Sequence, residues 1–172
     1  MKLFFVKFER NRNTNISLRQ LKVKKGEILQ RKGDRNTKAY FVKSGLLRSY
    51  SIDKKGKEHI FLFAPEGWMI ADSGSQELPS TLFIEAIEDS ELSVMDVTVS
   101  PKEHADKLVK RLAVLQNRVI MLMSYTAIER YEHFEETYPD IVQRVPQKMI
   151  ASYLGITPEA LSKVKKERFT KK

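Results

Sequence analysis

The sequence predicts an α+β chain: an N-terminal antiparallel β-sandwich or barrel, a long helix, and a small C-terminal helix-turn-helix. Three observations carry this. From about Leu21 to Val99 the chain holds short aromatic and β-branched runs separated by turn signals. Lys102 to Thr137 contains neither Gly nor Pro and repeats apolar residues at helical spacing. Residues 146–166 hold two short helical stretches joined at a glycine. The expected domains are 1–100, 101–138 and 139–172.

The strand-like runs are Tyr40–Val42, Leu46–Ile52, His59–Phe63, Thr81–Ala86 and Glu91–Met95. Lys25-Gly26, Lys32-Gly33-Asp34, Ser44-Gly45, Pro65-Glu66-Gly67 and Asp72-Ser73-Gly74-Ser75 punctuate them. Asp53-Lys54-Lys55-Gly56 reads as a hairpin loop closed by glycine. Such even spacing of short strands is what a sandwich or barrel requires.

At Ser100-Pro101 the period changes. Pro101 suits the first turn of a helix, with Ser100 as its cap and Glu103 as capping-box partner. Leu108, Leu112, Leu115, Val119 and Leu122 recur in steps of four and three, a coiled-coil-like seam. Met121, Tyr125, Ile128 and Tyr131 form a second, offset stripe. A helix, or a short helix followed by a long one, that is apolar on two sides has two surfaces to cover. One can face its own chain and the other a second copy, so Leu112, Leu115, Val119 and Leu122 are the expected dimer interface. Pro139 ends the helical stretch, and short helices are expected near Ile141–Gln143 and Pro146–Tyr153.

In the C-terminal stretch, Met149, Ile150 and Leu154 give the first helix an apolar face, with small Ala151 where two helices can approach. Gly155 can take the left-handed conformation that ends a helix. Thr157-Pro158-Glu159 opens the next one, with Thr as cap and Pro at the first position. Leu161 and Val164 face inward. Glu159, Ala160, Ser162, Lys163, Lys165 and Lys166 stay mainly outside. Such a helix can place its N-terminal residues against base edges in a major groove. Glu159 can accept from a cytosine amine and Lys163 can donate to guanine O6 and N7. Gln147, Lys148, Thr157, Lys165 and Lys166 can reach phosphates or lie beside them.

Charge agrees. The chain has 172 residues, 31 Lys plus Arg against 22 Asp plus Glu, and a net charge of +9. Residues 144–172 hold eight basic and two acidic groups, a balance of +6, and residues 1–35 hold a balance of +8 around an acidic middle. Clustered basic charge favours polyanions. With no cysteine there is no thiol nucleophile, no disulfide and no Cys-based metal site. The three histidines are too scattered for a cupin-type His-x-His ligand set, so no enzyme activity and no cofactor is expected. No apolar run is long enough to span a membrane, and a cytoplasmic location is expected.

Several motifs together resemble the cyclic-AMP receptor / fumarate–nitrate regulator (Crp/Fnr) family of transcription factors. Val23–Asp34 resembles the family's opening strand and turn, Ala39–Gly45 its following strand, Asp53–Glu58 its hairpin, and Gly67 the glycine before its ligand segment. The resemblance implies a jelly-roll effector domain, a long dimer helix and a C-terminal DNA-binding domain. Its expected partners are double-stranded DNA, a second copy of the chain, RNA polymerase and a small-molecule effector.

The chain departs from the family pattern at the effector pocket. Nucleotide-binding members hold the ribose with Gly-Glu and the phosphate with Arg-Ser. Here the corresponding residues read Ala71-Asp72 and Ser80-Thr81. A buried cyclic phosphate needs its charge neutralised, so control by cyclic AMP is not expected. An altered pocket would involve Trp68, Asp72, Ser73, Ser80 and Thr81. The absence of cysteine excludes the iron–sulfur sensing of the fumarate–nitrate branch. Pro158 stands where DNA-reading members often carry arginine, so only Glu159 and Lys163 are carried over as base contacts.

Overall fold

The computed structural model describes residues 19–35, 38–72, 78–96 and 101–170. Arg19 to Asp96 belong to one compact unit and Pro101 to Thr170 to another. The helical stretch expected at 101–138 and the one at 139–172 therefore share a single unit.

The first unit contains eight strands: β1 Arg19–Val23, β2 Ile28–Gln30, β3 Lys38–Ser44, β4 Leu47–Ile52, β5 Glu58–Ala64, β6 Met69–Ile70, β7 Phe83–Ala86 and β8 Ser90–Asp96. They form two antiparallel four-stranded sheets, ordered β1-β8-β3-β6 and β2-β7-β4-β5. This is the two-sheet architecture that the strand spacing predicts, in the jelly-roll form that the resemblance implies. Strands β1, β2 and β6 lie outside the five strand-like runs; Met69-Ile70 is too short to show a period.

Alternation along the strands builds the core. Val23, Tyr40, Val42, Ile70 and Leu92 from one sheet meet Leu47, Ala64, Ile84 and Ala86 from the other. Burying such side chains stabilises by about 1.5–3 kcal/mol each for the larger ones. Half-buried Trp68 packs against this cluster. The β3–β4 turn depends on Gly45, whose φ is +91°. A Cβ there would lie 2.6 Å from the Asp89 carbonyl and 2.7 Å from Ser90 Cβ.

The opposite face of the second sheet carries a buried cation. Arg48 is 4% exposed. Its Nη2 lies 2.7 Å from Glu85 Oε2, and Nη1 pairs with Glu58. Its guanidinium carbon sits 4.1 Å from the Tyr50 ring centroid, and Tyr50 stacks on Phe83 at 5.1 Å. Burial works against the charge, but the bonds and charges of Glu58 and Glu85 outweigh it and raise the Arg48 pKa.

The second unit is helical. Helix α1 spans Pro101–Ser124 and α2 spans Ala127–Thr137. The break falls where Thr126 caps α2. Glu129 N donates to Thr126 Oγ1, and Thr126 N donates to Glu129 Oε2 at 2.7 Å, a reciprocal capping box. The sequence allows a short helix followed by a long one; the structure has the long helix first, because the capping box of Thr126 and Glu129 falls late in the stretch. Tyr138 ends α2 before Pro139, and a 3₁₀ turn follows at Ile141–Gln143. Helix α3 covers Gln147–Leu154 and α4 covers Pro158–Thr170. Phe134 and Tyr138 are almost fully buried, and Phe134 lies 5.3 Å from both Tyr138 and Tyr153. Tyr138 meets Tyr153 edge-on at 5.6 Å. Among the described residues no helix is long and apolar enough to cross a membrane.

Candidate DNA-reading surface and effector pocket

Three local choices shape the helix-turn-helix. Gly155 adopts φ +68°, and its amide, with that of Ile156, closes onto the Ser152 and Ala151 carbonyls. Thr157 Oγ1 accepts from Ala160 N at 3.2 Å and so satisfies one of the free amides of α4. Ile150, Ala151, Leu154, Leu161 and Val164 are buried between the helices.

That packing leaves a polar outer face. Gln147, Lys148, Thr157, Glu159, Ser162, Lys163 and Lys166 are exposed, and Ala160 and Lys165 are half-buried. Ser162 donates its hydroxyl to the Pro158 carbonyl, which fixes its rotamer. Lys163 lies 3.8 Å from Glu167 one turn on, its own side chain largely in solvent and that of Glu167 half-buried. The Glu159 backbone amide and the Thr157 hydroxyl lower the Glu159 pKa, so it is an anionic acceptor at neutral pH. Lys165 and Arg168 lie 5.9 and 5.8 Å from the Tyr131 ring centroid, and Arg168 also pairs with Glu135. Those two cations are thus turned partly toward α2.

Two arginines outside the motif hold it, and neither role has a local signature in the chain. Arg118 of α1 donates Nη2 to the Tyr153 carbonyl at 2.8 Å and lies over the Tyr153 ring at 3.8 Å. Arg130 of α2 donates Nη1 to the Leu154 carbonyl at 3.1 Å and Nη2 to the Leu122 carbonyl at 2.8 Å. Both cations sit at the C-terminus of α3, where free carbonyls and the helix dipole favour positive charge.

The expected dimer seam divides. Leu112 and Val119 are 57% and 54% exposed, whereas Leu115 and Leu122 are half-buried. A Cβ on Gly155 would lie 3.5 Å from Leu122 Cδ2, so Leu122 faces the turn of its own unit. The exposed apolar stripe runs through Val109, Leu112, Val119, Ile120 and Met123. Met121 and Tyr131 of the offset stripe are buried. The side chains of Leu108 and Glu103, and all of Ser100, lie outside the described residues.

At the expected effector pocket, Asp72 and Ser80 are hydrogen-bonded within the chain. Asp72 is 5% exposed. Its Oδ2 accepts from Thr81 N at 2.7 Å, Leu82 N at 3.1 Å and Gln30 Nε2 at 3.2 Å, and its Oδ1 accepts from Thr81 Oγ1 at 3.3 Å. Buried Ser80 donates its hydroxyl to the Arg31 carbonyl at 2.6 Å and its amide to the Asp34 carbonyl at 2.8 Å. Trp68 packs against the core cluster, and Ser73 lies outside the described residues. Because Thr81 and Leu82 turn their amides toward Asp72, β7 starts at Phe83 rather than at Thr81. Gln30 was not anticipated; its polarity in an otherwise apolar β2 was the available signal.

Residues 20–99 match the cyclic nucleotide-binding domain family. The chain is 23% identical over 176 residues to the Anaerobic regulatory protein of Aggregatibacter actinomycetemcomitans, covering 87% of this chain and 66% of that one. It spans between 38% and 66% of the length of the curated relatives it matches. In fold it resembles FixK2 from Bradyrhizobium japonicum, with a TM-score of 0.73 at 20% identity over 90% of this chain and 85% of that one. A CRP/FNR-family transcriptional regulator from Thermus thermophilus gives a TM-score of 0.65 at 19% identity, covering 89% and 87%.

Proposed function

We propose that the chain, whose residues 20–99 match the cyclic nucleotide-binding domain family, is a regulator of the Crp/Fnr type: a homodimeric, sequence-specific DNA-binding transcription regulator. The observation that carries this is the capped helix-turn-helix, with Leu161 and Val164 buried and Glu159, Ser162 and Lys163 outward on α4. In this reading α4 enters the major groove. Glu159 and Lys163 read base edges, while Gln147, Lys148, Thr157 and Lys166 lie along phosphates. Two copies associate along α1 through Val109, Leu112, Val119, Ile120 and Met123, setting their recognition helices about 34 Å apart. The domain roles follow: an effector-type β-domain, a dimer helix and a DNA-binding end, acting in the cytoplasm with RNA polymerase as a further partner and without enzymatic activity.

Cyclic AMP does not control this regulator. By the family resemblance, Ser80 takes the place of an arginine that would neutralise the phosphate. The Thr81 and Leu82 amides already face the Asp72 carboxylate. Phosphate entering there would meet a like charge in a desolvated site.

Selection of bound DNA from a random pool, with and without cell extract, tests the reading. The expected product is a near-palindromic site with half-sites one helical turn apart. Recovery of no shared sequence would refute sequence-specific binding, and an asymmetric single half-site would refute the dimer.

A further inference from the structure

We propose that Asp72 is a built-in occupant of an oxyanion site formed by the amides of Thr81 and Leu82 and the side-chain amide of Gln30. The inference rests on reading residues 19–96 as an effector-type domain, and it names what fills that domain's anion position.

One carboxylate oxygen, Asp72 Oδ2, receives three N–H donors between 2.7 and 3.2 Å. The second, Oδ1, receives the Thr81 hydroxyl. Converging backbone amides with a buried side-chain donor are the equipment of an anion site. Hydrogen bonds to an ionised acceptor are the strong ones and offset the desolvation of the buried charge. The site is built rather than incidental. Gln30 is 3% exposed, and its Nε2 also donates to the Leu82 carbonyl at 3.0 Å, which fixes the orientation of its amide. Its Oε1 meets no hydrogen-bond partner among the described residues. The donors therefore come from two separate stretches, β2 and the segment before β7, and the acceptor from a third.

A carboxylate and a small inorganic oxyanion share this chemistry: oxygen acceptors with delocalised negative charge. With Asp72 in place, the site is filled by the chain itself, and no diffusible phosphate is needed to order Thr81 and Leu82. With the carboxylate removed, the same donors would accept inorganic phosphate.

Amide hydrogen exchange at Thr81 and Leu82, read by NMR on the full chain with and without inorganic phosphate at constant ionic strength, tests this. In the wild type both amides should be protected, and phosphate should leave them unchanged. In Asp72→Ala they should exchange about tenfold faster or more, and phosphate should restore protection saturably. Saturable change in the wild type, wild-type protection in Asp72→Ala without phosphate, or failure of phosphate to restore it would each overturn the proposal. Should Asp72→Ala not fold even in phosphate, Asp72→Asn decides. It keeps the shape without the charge, and exchange as slow as in the wild type would overturn the proposal. Loss of DNA binding in the wild type would defeat the proposed function while leaving this exchange result standing.

Discussion

Arg130 Nη1 and the Leu154 carbonyl, 3.1 Å apart, join α2 to the C-terminus of α3. The same guanidinium reaches the Leu122 carbonyl at 2.8 Å and, through Nε, the Tyr125 carbonyl at 3.0 Å. One side chain thus holds the end of α1, the turn after it and the end of the first helix of the helix-turn-helix. Arg130→Ala should destabilise the helical unit by about 1.5–3 kcal/mol, because charge-assisted bonds are lost and carbonyls are left without a donor. Arg130→Lys should recover only part of this, since a point-like ammonium does not reproduce the fork. Urea unfolding followed by helical circular dichroism measures both.

Lys163→Ala should separate recognition from stability. Its side chain is largely in solvent and its pair with Glu167 is 3.8 Å long, so stability should change by less than about 0.5 kcal/mol. Binding to the selected DNA site should weaken by about 1–3 kcal/mol and preference should relax at one base pair. Unchanged affinity and base preference would remove Lys163 from the recognition surface. A binding titration against a panel of single-base variants reads this out.

The dimer proposal now rests on a specific stripe. Val109 and Ile120 are 66% and 56% exposed. Val109→Asp combined with Ile120→Asp should therefore give monomers with unchanged helix content, seen by sedimentation and circular dichroism. Leu122→Asp should instead unfold the helical unit, because Leu122 packs at Gly155. A dimer that survives the double substitution would refute the stripe.

Gly45→Ala should be among the most damaging single-methyl changes in the β-unit. The added carbon would be forced against the Asp89 carbonyl and Ser90 in a backbone conformation that L residues avoid. A loss of about 2–4 kcal/mol combines the conformational cost with overpacking. Thermal unfolding of the variant against wild type checks it.

The β4–β5 turn should titrate in acid. His59 Nε2 lies 2.9 Å from Asp53 Oδ2, and Lys57 and Lys55 amides donate to Oδ1 at 3.0 and 2.8 Å. The His59 bond first, then those amides, lower the Asp53 pKa to about 2. Since the folded value lies below the unfolded value of about 3.9, the contribution is complete above that unfolded value. It is lost as pH falls from there through about 2. A carboxyl titration by NMR should show the low midpoint, and His59→Ala should raise it.

Much of the site was legible because its determinants are local. Gly155, Thr157 and Pro158 are neighbours in the chain, and a cap or a left-handed turn acts on residues two or three positions away. The exposed face of α4 then follows from helical period around Leu161 and Val164. The seam on α1 was legible only as a set of apolar residues. Leu115 and Leu122 proved half-buried and Ile120 and Met123 exposed, because the angle at which a helix meets its own unit selects among equivalent apolar positions.

The pocket shows the limit most sharply. The family resemblance points to Asp72 and Ser80-Thr81 as expected pocket residues. That the Asp72 carboxylate bonds to Thr81, Leu82 and Gln30 cannot be read from the chain alone, because those partners lie 9, 10 and 42 positions away. The sequence by itself determined the fold class, five of the strands, the helix-turn-helix with its turn glycine and the polar face of α4, all products of short-range geometry and periodicity. Only the tertiary structure decided where Asp72, Arg118 and Arg130 find their partners. A buried charge must be satisfied by whatever donors or acceptors the fold brings within about 3 Å, and sequence spacing does not encode that distance.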